Sequence, residues 1–362
     1  MQVADAPATR EELGASLAAA AEAGTPVRFR GGGTKLGWAR RAPAEAIELS
    51  TAGLNTIVEH NAGDLTAVLE PGVLLADAQA TFANAGQMLA LDPPDGGATV
   101  GGVVAAADSG PLRARYGGPR DLVVGMRVAL SDGTLAKSGG KVIKNVAGYD
   151  IAKLFTGSFG TLGAIVELCV RLHPLPPATA TAVGGSSDPD ELARGAAALA
   201  GSALEHHGLD ISWEAGRGTA LARFAGAAPR PQAEAAELLL RREGLSTEIL
   251  DDDASVWDEQ RARQRGPLVV KVSGLPTHVP ALLRAADELG GSLVGRAGLG
   301  VSWLRFEEPS ASAVERLRRD WIAVVQDRPA DLDIDPWGPI VTAADALMQR
   351  VKERFDPAGV CA

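Results

Sequence analysis

The sequence predicts an α+β protein with two domains and a C-terminal segment that returns to the first. Short strand-like segments alternate with helical ones, glycine clusters interrupt the first half, and prolines between 174 and 177 break the pattern. A chain of 362 residues is long enough for two hydrophobic cores. We therefore expect a first domain over 1–176, a second over 177–340, and a closing helix and tail over 341–362.

Composition and charge narrow the range of partners. Lys and Arg number 35 against 45 Asp and Glu, which gives a net charge of −10 and disfavours nucleic acid or an anionic membrane as a partner. No apolar run reaches the roughly 18–20 residues of a membrane span, and the N-terminus lacks a signal-peptide pattern. These features predict a cytoplasmic protein.

The chain has two cysteines, Cys169 and Cys361, which are too few for a four-thiolate zinc site or an iron–sulfur cluster. Cys169 lies in the apolar run AIVELCVRL, so we expect it to be a buried strand residue.

The first half reads as alternating strands and helices. The segment 9–12 has capping-box spacing, which predicts a helix that runs to Gly24. A turn at 131–134 predicts a hairpin, a helix is expected over DIAKLF, and a strand over AIVELCVRL. The earlier strands are expected in PVRFR, AEAIELS, TIVEH and TAVLEPG, and a helix is expected over 73–86.

The second half shows one order of elements twice. Each time a strand is followed by a helix, two strands and another helix, which predicts a single α+β layer with the helices on one face. The later helices are expected near 231–243, 278–290 and 310–326, and a last one over ADALMQRVKERF.

The stretch RFRGGGTKLG (28–37) is the first glycine cluster, and it fits neither familiar nucleotide loop. An ATPase-type loop needs Gly-Lys followed by Ser or Thr, but here Leu36 follows Lys35. A dinucleotide fingerprint would place its third glycine at Leu36. The cluster is either a phosphate-binding loop of another kind or a mobile turn.

A second cluster, TVGGVVAAA (99–107), opens a segment that reads as a helix N-terminus. Unpaired amides and the helix dipole favour an anion at such a position. Two loops of this kind could enclose a diphosphate from both sides. The alternative, that each cluster is only a turn, remains open at this point.

Together, the motifs resemble a known family. RGGGT, TVGG, YGG-x-RDLVVGMRV and KNVAGYDIAKLFTGSFGTLGAI occur in the order found in FAD-binding domains of the vanillyl-alcohol-oxidase (PCMH) type. The resemblance covers about residues 7–176. It implies two α+β subdomains that hold FAD between them, followed by an α+β cap domain. KNVAGYD and Phe159 are most similar to the FAD-binding E subunits of bacterial glycolate oxidase (glycolate dehydrogenase).

The resemblance implies a set of cofactor-binding residues. Those implied to hold the diphosphate are Gly31, Gly32, Gly33, Thr34, Lys35, Thr99, Gly101 and Gly102. Those implied near the ribityl or ring end are Ser109 and Gly110, and those along the adenine and flavin side are Gly160, Gly163 and Ile165. Lys144 and Tyr149 are candidates beside the flavin or are packing residues, and Arg113 contacts phosphate or is solvated. Pro93 and Tyr116 lie in the same motifs and complete the set.

The first loop holds Thr34 and no histidine, so we expect FAD to be bound non-covalently. In relatives an Asn near the C-terminus approaches the flavin ring; here Ala362 stands at that position. Catalytic dehydrogenases of this family use a histidine metal site, but the five histidines here show no ligand spacing. We therefore expect no metal and assign no catalytic residue.

The resemblance implies a subunit of a 2-hydroxy-acid dehydrogenase that relays electrons or supports its partners. Those partners would be a catalytic FAD-containing paralogue and an iron–sulfur subunit, through which the chain could lie at the inner face of a membrane. The alternatives are a free-standing flavin oxidase or dehydrogenase, a reductase of the peptidoglycan-precursor type, and a scaffold that has lost flavin.

Overall fold

The computed structural model describes residues 6–141, 150–338 and 345–362. The chain divides into two compact units. The first comprises Met1–Ser109, Gly117–Leu175 and Pro339–Ala362, and the second comprises Gly110–Tyr116 and Pro176–Gly338. Residues 110–116, which we expected in the first domain, thus group with the second unit. The roles assigned to the domains from the sequence stay a prediction.

The described residues form helices and strands throughout both units. The helices are α1 (Arg10–Glu22), α2 (Leu75–Ala83), α3 (Val100–Ala106), α4 (Arg113–Tyr116), α5 (Pro119–Leu122), α6 (Asp150–Phe155), α7 (Pro189–Ala200), α8 (Arg230–Arg242), α9 (Ala254–Ala262), α10 (Val279–Glu288), α11 (Ala311–Asp320) and α12 (Asp345–Phe355). The strands of the first unit are β1 (Val27–Arg30), β2 (Ile47–Ser50), β3 (Ile57–Asn61), β4 (Thr66–Leu69), β5 (Gln87–Met88), β6 (Val123–Ala129), β7 (Leu135–Gly139), β8 (Ala164–Arg171) and β9 (His173–Pro174). The strands of the second unit are β10 (Thr179–Ser186), β11 (Gly208–Glu214), β12 (Arg217–Ala225), β13 (Ser246–Leu250), β14 (Leu268–Ser273), β15 (Ser292–Arg296), β16 (Val301–Phe306) and β17 (Ile322–Val325).

Helix α1 begins where the capping box predicts. The Thr9 hydroxyl accepts the amide N–H of Glu12 at 3.1 Å, and the Glu12 carboxylate accepts the amide N–H of Thr9 at 3.3 Å. These bonds satisfy amides that the first turn of a helix leaves without partners. Leu13 and Leu17 lie four residues apart on one face and are fully buried.

The larger sheet of the first unit has five antiparallel strands in the order β3-β4-β8-β6-β7. The predicted hairpin joins β6 to β7, with Gly133 at φ +82° in the turn. Strand β8 is central and almost entirely buried. Cys169 lies in it, as expected, and burial raises the pKa of its thiol to about 11, which makes the thiol unreactive near neutral pH.

A second, small sheet of the first unit carries the first glycine loop at its end. Strands β1 and β2 are parallel, and the other edge of β1 pairs with the C-terminal tail through Val27 and Cys361. The Val27 amide donates to Val360 O at 2.7 Å, and the Ala362 amide donates to Val27 O at 2.9 Å. Val27 and Val360 also share one hydrophobic core cluster with residues of α1 and β2.

Asp356 holds this tail in place. Its carboxylate accepts the amide N–H groups of Val360 at 3.2 Å and Cys361 at 2.8 Å, and it pairs with Lys352 Nζ at 2.6 Å. Burial by itself raises the pKa of Asp356, but Lys352 and the two amides outweigh burial, so the pKa lies below its usual range.

The second unit is built on one eight-stranded sheet in the order β13-β10-β12-β11-β15-β16-β14-β17. The first four strands in this order form one half of the sheet and the last four form the other. Along the chain, each half runs strand, helix, strand, strand, helix, strand. The halves meet where β11 pairs antiparallel with β15. The structure thus confirms the repeated order that the sequence predicts. One large core lies under α7, α8, α10 and α11.

Two details of the second unit differ from the prediction. The segment expected to continue a helix to residue 326 forms β17, because Ile322–Val325 is a β-branched run that pairs with β14. Helix α9 packs on the opposite face from the other helices. Trp257 of α9 packs with Val183 and Leu221. The residues next to these two in their strands face the large core. Adjacent residues of a strand point to opposite faces of the sheet, so α9 lies on the face away from that core. The expectation that all helices share one face is therefore wrong.

We expect Asp356→Asn to destabilise the protein at pH 7, since an amide cannot accept both tail amides or pair with Lys352. The loss should be on the order of 1–3 kcal/mol in the free energy of unfolding, as for other buried groups left unsatisfied. Because the pKa is lower in the folded state, this contribution is present above the unfolded-state pKa of about 4 and disappears as pH falls through the folded value.

Denaturant unfolding at pH 7 and at low pH measures the effect, so the difference between wild type and variant should shrink in acid. The matched control is Glu353→Gln, an exposed carboxylate on α12. Equal stability of the two variants at pH 7 would contradict the assigned role of Asp356.

Candidate functional site

The first unit contains a cleft that is lined by the first and second glycine clusters. A third glycine segment, GSFGTLG (157–163), also lines it. The empty space of the cleft is about 890 Å³ where open solvent is included. The residues that line it are Arg28, Phe29, Gly31, Gly32, Gly33, Thr34, Lys35, Leu36, Ala39, Arg40, Thr51, Pro71, Thr99, Gly101, Gly102, Ala105, Ala106, Phe159, Gly160, Gly163, Ala164, Ile165 and Ala362.

The first glycine loop lies directly against the second. A Cβ atom at Gly32 would lie 2.0 Å from the carbonyl oxygen of Gly97, and one at Gly31 would lie 2.3 Å from Thr99 Oγ1. Gly33 has φ +75°, a conformation that other residues rarely adopt. The three consecutive glycines are thus required by a close loop contact and by one left-handed backbone position.

The second loop begins α3 with Thr99 as its N-cap. The Thr99 hydroxyl accepts the amide N–H of Gly102 at 3.2 Å. Gly101 packs against Pro71, where a Cβ would lie 2.5 Å from the proline Cβ, and its amide donates to Pro71 O at 2.9 Å. The segment is glycine-rich because α3 starts against another loop of the chain.

The backbone amides of the two loops differ in whether they already donate to an acceptor in the protein. Among the residues that the structure describes, the amides of Gly31, Gly32 and Gly33 donate to no protein acceptor. The amides of Gly101 and Gly102 already have acceptors within the second loop and its neighbour. Donors for an anion are therefore concentrated in the first loop. The assignment of each residue to the diphosphate stays a prediction.

The third segment closes the cleft on the side of β8. Gly160 has φ +79°, and a Cβ there would lie 2.8 Å from Phe29 Cδ2. Gly163 has φ +134°, and a Cβ would lie 2.5 Å from Ala129 O. Ile165 follows in β8 and is buried.

This third segment also caps α3. The amide of Gly157 donates to Val104 O at 3.1 Å, and the amide of Phe159 donates to Ala105 O at 2.9 Å. These carbonyls belong to the last turn of α3, where Val104 O also accepts the amide N–H of Ala107 at 3.1 Å. Helix α3 thus fixes the first loop at its start and the third segment at its end.

Charged side chains surround the first loop. Arg28 and Arg40 line the cleft. Arg28 makes only a long contact with Glu48, 3.5 Å from Nη2 to Oε2, and its buried Nε has no hydrogen-bond partner. Lys35, by contrast, pairs with Asp95 at 3.0 Å and with Asp108 at 3.2 Å.

Arg28 was not among the residues singled out from the sequence. The available signal for Arg28 was the alternation of side chains along a strand. This alternation places Arg28 on the same side of β1 as Arg30, and Arg30 directly precedes the first loop.

Several of the residues predicted from the sequence do not line the cleft. Pro93 is half-buried outside it, and Ser109 is buried, with its amide donating to Asp108 Oδ1 at 2.8 Å. Gly110, Arg113 and Tyr116 belong to the second unit, where the Tyr116 hydroxyl lies 3.2 Å from His207 Nδ1. Lys144 and Tyr149 lie outside the described residues, so their predicted roles are untested.

The described ranges contain no group of three or more His, Cys, Asp or Glu placed to hold a metal ion. His60 Nε2 lies 2.9 Å from Gln87 Oε1. Burial lowers the pKa of His173, His206 and His207, which favours their neutral forms.

Comparison with known proteins agrees with this geometry. Residues 1–139 match the family model described as FAD binding domain, and they include the first and second glycine loops. Most residues that line the cleft lie in this matched segment, and the third glycine segment and Ala362 line it from outside the match. Residues 1–139 are thus similar to an FAD-binding domain.

Two curated proteins are similar to part of the chain. Over 157 residues the chain is 35% identical to glycolate oxidase subunit GlcE of Escherichia coli K12, covering 43% of this chain and 44% of that protein. Over 172 residues it is 35% identical to glycolate oxidase subunit GlcD of Bacillus subtilis 168, covering 47% and 37%. The chain thus spans about two fifths of the length of these relatives.

The fold extends beyond the FAD-binding domain. The structure superposes on an alkyldihydroxyacetonephosphate synthase with a TM-score of 0.72 and 14% identity, covering 98% of this chain and 75% of that one. This likeness establishes the fold alone. Within the part of the chain that the structure describes, no helix has the length and apolar character needed to cross a membrane.

We expect Gly32→Ala to reduce both stability and flavin content, because its new methyl group would overlap the Gly97 carbonyl oxygen. Overpacking of this kind typically costs about 1–3 kcal/mol. The control is Gly97→Ala in the facing loop, where a Cβ meets only Thr34 Cγ2 at 3.7 Å. Melting temperature and bound flavin per chain are the measurements. Two variants with equal melting temperatures would show that the loops do not approach as described.

Proposed function

We propose that the chain is an FAD-binding subunit of a multi-subunit 2-hydroxy-acid dehydrogenase of the glycolate oxidase type. The observation that carries this proposal is the glycine-lined cleft, most of whose lining residues lie in the segment that matches the FAD binding family. The sequence similarity to glycolate oxidase subunits supports the substrate class and the multi-subunit setting.

The residues of the cleft fit an extended dinucleotide. The amides of Gly31, Gly32 and Gly33 offer donors that lack protein acceptors among the described residues, and Arg28 adds a positive charge; both suit a diphosphate. Apolar side chains, among them Phe29 and Ile165, line the same cleft and suit flat rings. These features support non-covalent binding, since the first loop contains no histidine to form a covalent link.

When bound, FAD would accept the hydride equivalent that a 2-hydroxy acid loses on oxidation. The protein must hold the cofactor and exclude competing reactions. Drawing off the hydroxyl proton requires a base or a metal, and the five histidines show no ligand spacing. We therefore assign substrate oxidation to a catalytic FAD-containing paralogue, and to this chain electron relay or assembly together with an iron–sulfur subunit. Any attachment to the inner face of a membrane would occur through those partners.

A visible spectrum of the purified chain tests FAD binding. We expect flavin absorbance near ~450 nm that is released by denaturation, because the cofactor is held without a covalent bond. Glycolate or D-lactate added to the isolated chain should leave the absorbance unchanged. Bleaching by either acid without partners would instead favour a free-standing dehydrogenase, and a colourless protein that takes up no added FAD would overturn the proposal.

A bulky residue at Gly102 should displace the cofactor from the cleft. Gly102 lines the cleft, and a Cβ there meets only Thr99 Oγ1 at 3.1 Å. We expect Gly102→Phe to lower the affinity for FAD at least about tenfold, equivalent to some 1.4 kcal/mol. The matched control is Gly140→Phe, at a site with no atom within 4 Å of a new Cβ. Flavin titration of both variants checks the prediction, and equal affinities would contradict it.

A further inference from the structure

Lys35 is buried, and its ammonium group contacts oxygen atoms of three protein side chains. Its side chain is 7% exposed, and its ammonium lies 3.0 Å from Asp95 Oδ2, 3.2 Å from Asp108 Oδ2 and 3.0 Å from Thr34 Oγ1. The ring of Trp38 lies 5.6 Å from Nζ. An ammonium has three N–H donors; two of them bond to Asp95 and Thr34, and Asp108 lies at ion-pair distance, although its Oδ2 accepts no hydrogen bond. Lys35 is therefore poorly placed to donate to a cofactor phosphate, although it follows the first glycine loop directly.

The two partners of Lys35 flank the second glycine loop. Asp95 precedes Gly97 and Thr99, and Asp108 follows the end of α3. Asp108 also accepts the amide N–H of Ser109 on Oδ1 at 2.8 Å. One lysine from the first loop thus binds both ends of the second loop. We call Lys35, Asp95 and Asp108 the loop clamp.

The charges of the loop clamp are unequal. One ammonium faces two carboxylates, whose side chains are 15% and 4% exposed. Burial raises the pKa of Asp108, the charge of Lys35 lowers it, and Asp95 raises it again. Without Lys35, two crowded carboxylates would lie beside the loops that line the cleft. Each would repel the other and any anion bound there.

We propose that Lys35 is a positioning residue: it fixes the two glycine loops against each other before the cofactor arrives and neutralises the aspartates, without itself contacting the diphosphate. The part of this proposal that concerns FAD rests on the proposed function. The fixing of the loops concerns the protein alone, so it can be tested in the absence of flavin.

The test compares Lys35→Met with the triple variant Lys35→Met/Asp95→Asn/Asp108→Asn. The single variant takes the Lys35 charge away from Asp95 and Asp108, whereas the triple variant removes all three charges of the loop clamp. The melting temperature of the flavin-free protein should fall in Lys35→Met and recover in the triple variant, as expected for residues of one ion network. Lys137→Met, an exposed lysine on β7 outside the cleft, is the matched control.

Flavin titration between pH 5 and 8 supplies a readout that stability alone would not change. In Lys35→Met we expect affinity for FAD to fall about tenfold at pH 8, within the usual range of coupling in an ion network. The affinity should recover in part as pH falls, because burial raises the pKa of Asp108, which takes up a proton and no longer repels the diphosphate. The triple variant should bind FAD as tightly as the wild type at every pH.

A direct contact between Lys35 and phosphate predicts the opposite pattern. Lys35→Met would then lose affinity equally at all pH values, the triple variant would not recover, and the proposal would be overturned. Arg28→Met, which removes a charge that lines the cleft, gives a reference for such a loss independent of pH. If the wild type binds no FAD, the proposed function fails, and the clamp is judged from the flavin-free melting temperatures. A Lys35→Met protein as stable as the wild type would overturn it.

Discussion

The contact between the backbones of the first and second glycine loops is the constraint on which the cleft depends. Gly32 can lie against the carbonyl of Gly97 only because it has no side chain. That contact sets Thr99 at the start of α3, and α3 in turn offers its last carbonyls to the segment that carries Phe159. Three segments far apart in sequence thereby share one helix as their common support. A cleft built this way is largely formed before any ligand binds.

Electrostatics around the cleft follow from which cations are already paired. Lys35 looks in the sequence like the natural partner of a phosphate, yet it is surrounded by the oxygens of Asp95 and Asp108. Arg28 belongs to no recognised motif, yet it lines the cleft. Its ion pair with Glu48 is longer than the ion pairs that Lys35 makes. A charged residue beside a glycine loop therefore cannot be assigned to a ligand until its protein partners are known.

Local signals predicted the elements well, because capping, turn chemistry and side-chain alternation depend on neighbours in sequence. The capping box at Thr9 and the hairpin around Gly133 are examples. The sequence could not reveal the loop clamp, since Asp95 and Asp108 lie in stretches that read as ordinary turns and meet Lys35 only after folding. For the same reason Ile322–Val325 was assigned to a helix: its strand character depends on pairing with β14. The resemblance to a flavoprotein family supplied predicted site residues that no local pattern could identify, and those assignments stay a prediction.

The pairing of Val27 with the tail has a consequence for biosynthesis. Strand β1 leaves the ribosome early, but the residues that cover its outer edge, 360–362, follow the whole of the second unit's sheet in the chain and are made after it. The sheet of the second unit, by contrast, comes from the continuous stretch Pro176–Gly338. That sheet can therefore be complete while β1 still has an open edge, which reverses the usual N-to-C order of domain folding. An open edge is a site of unwanted pairing with other chains, so the nascent protein is most exposed to misassembly at the strand that will carry its first glycine loop.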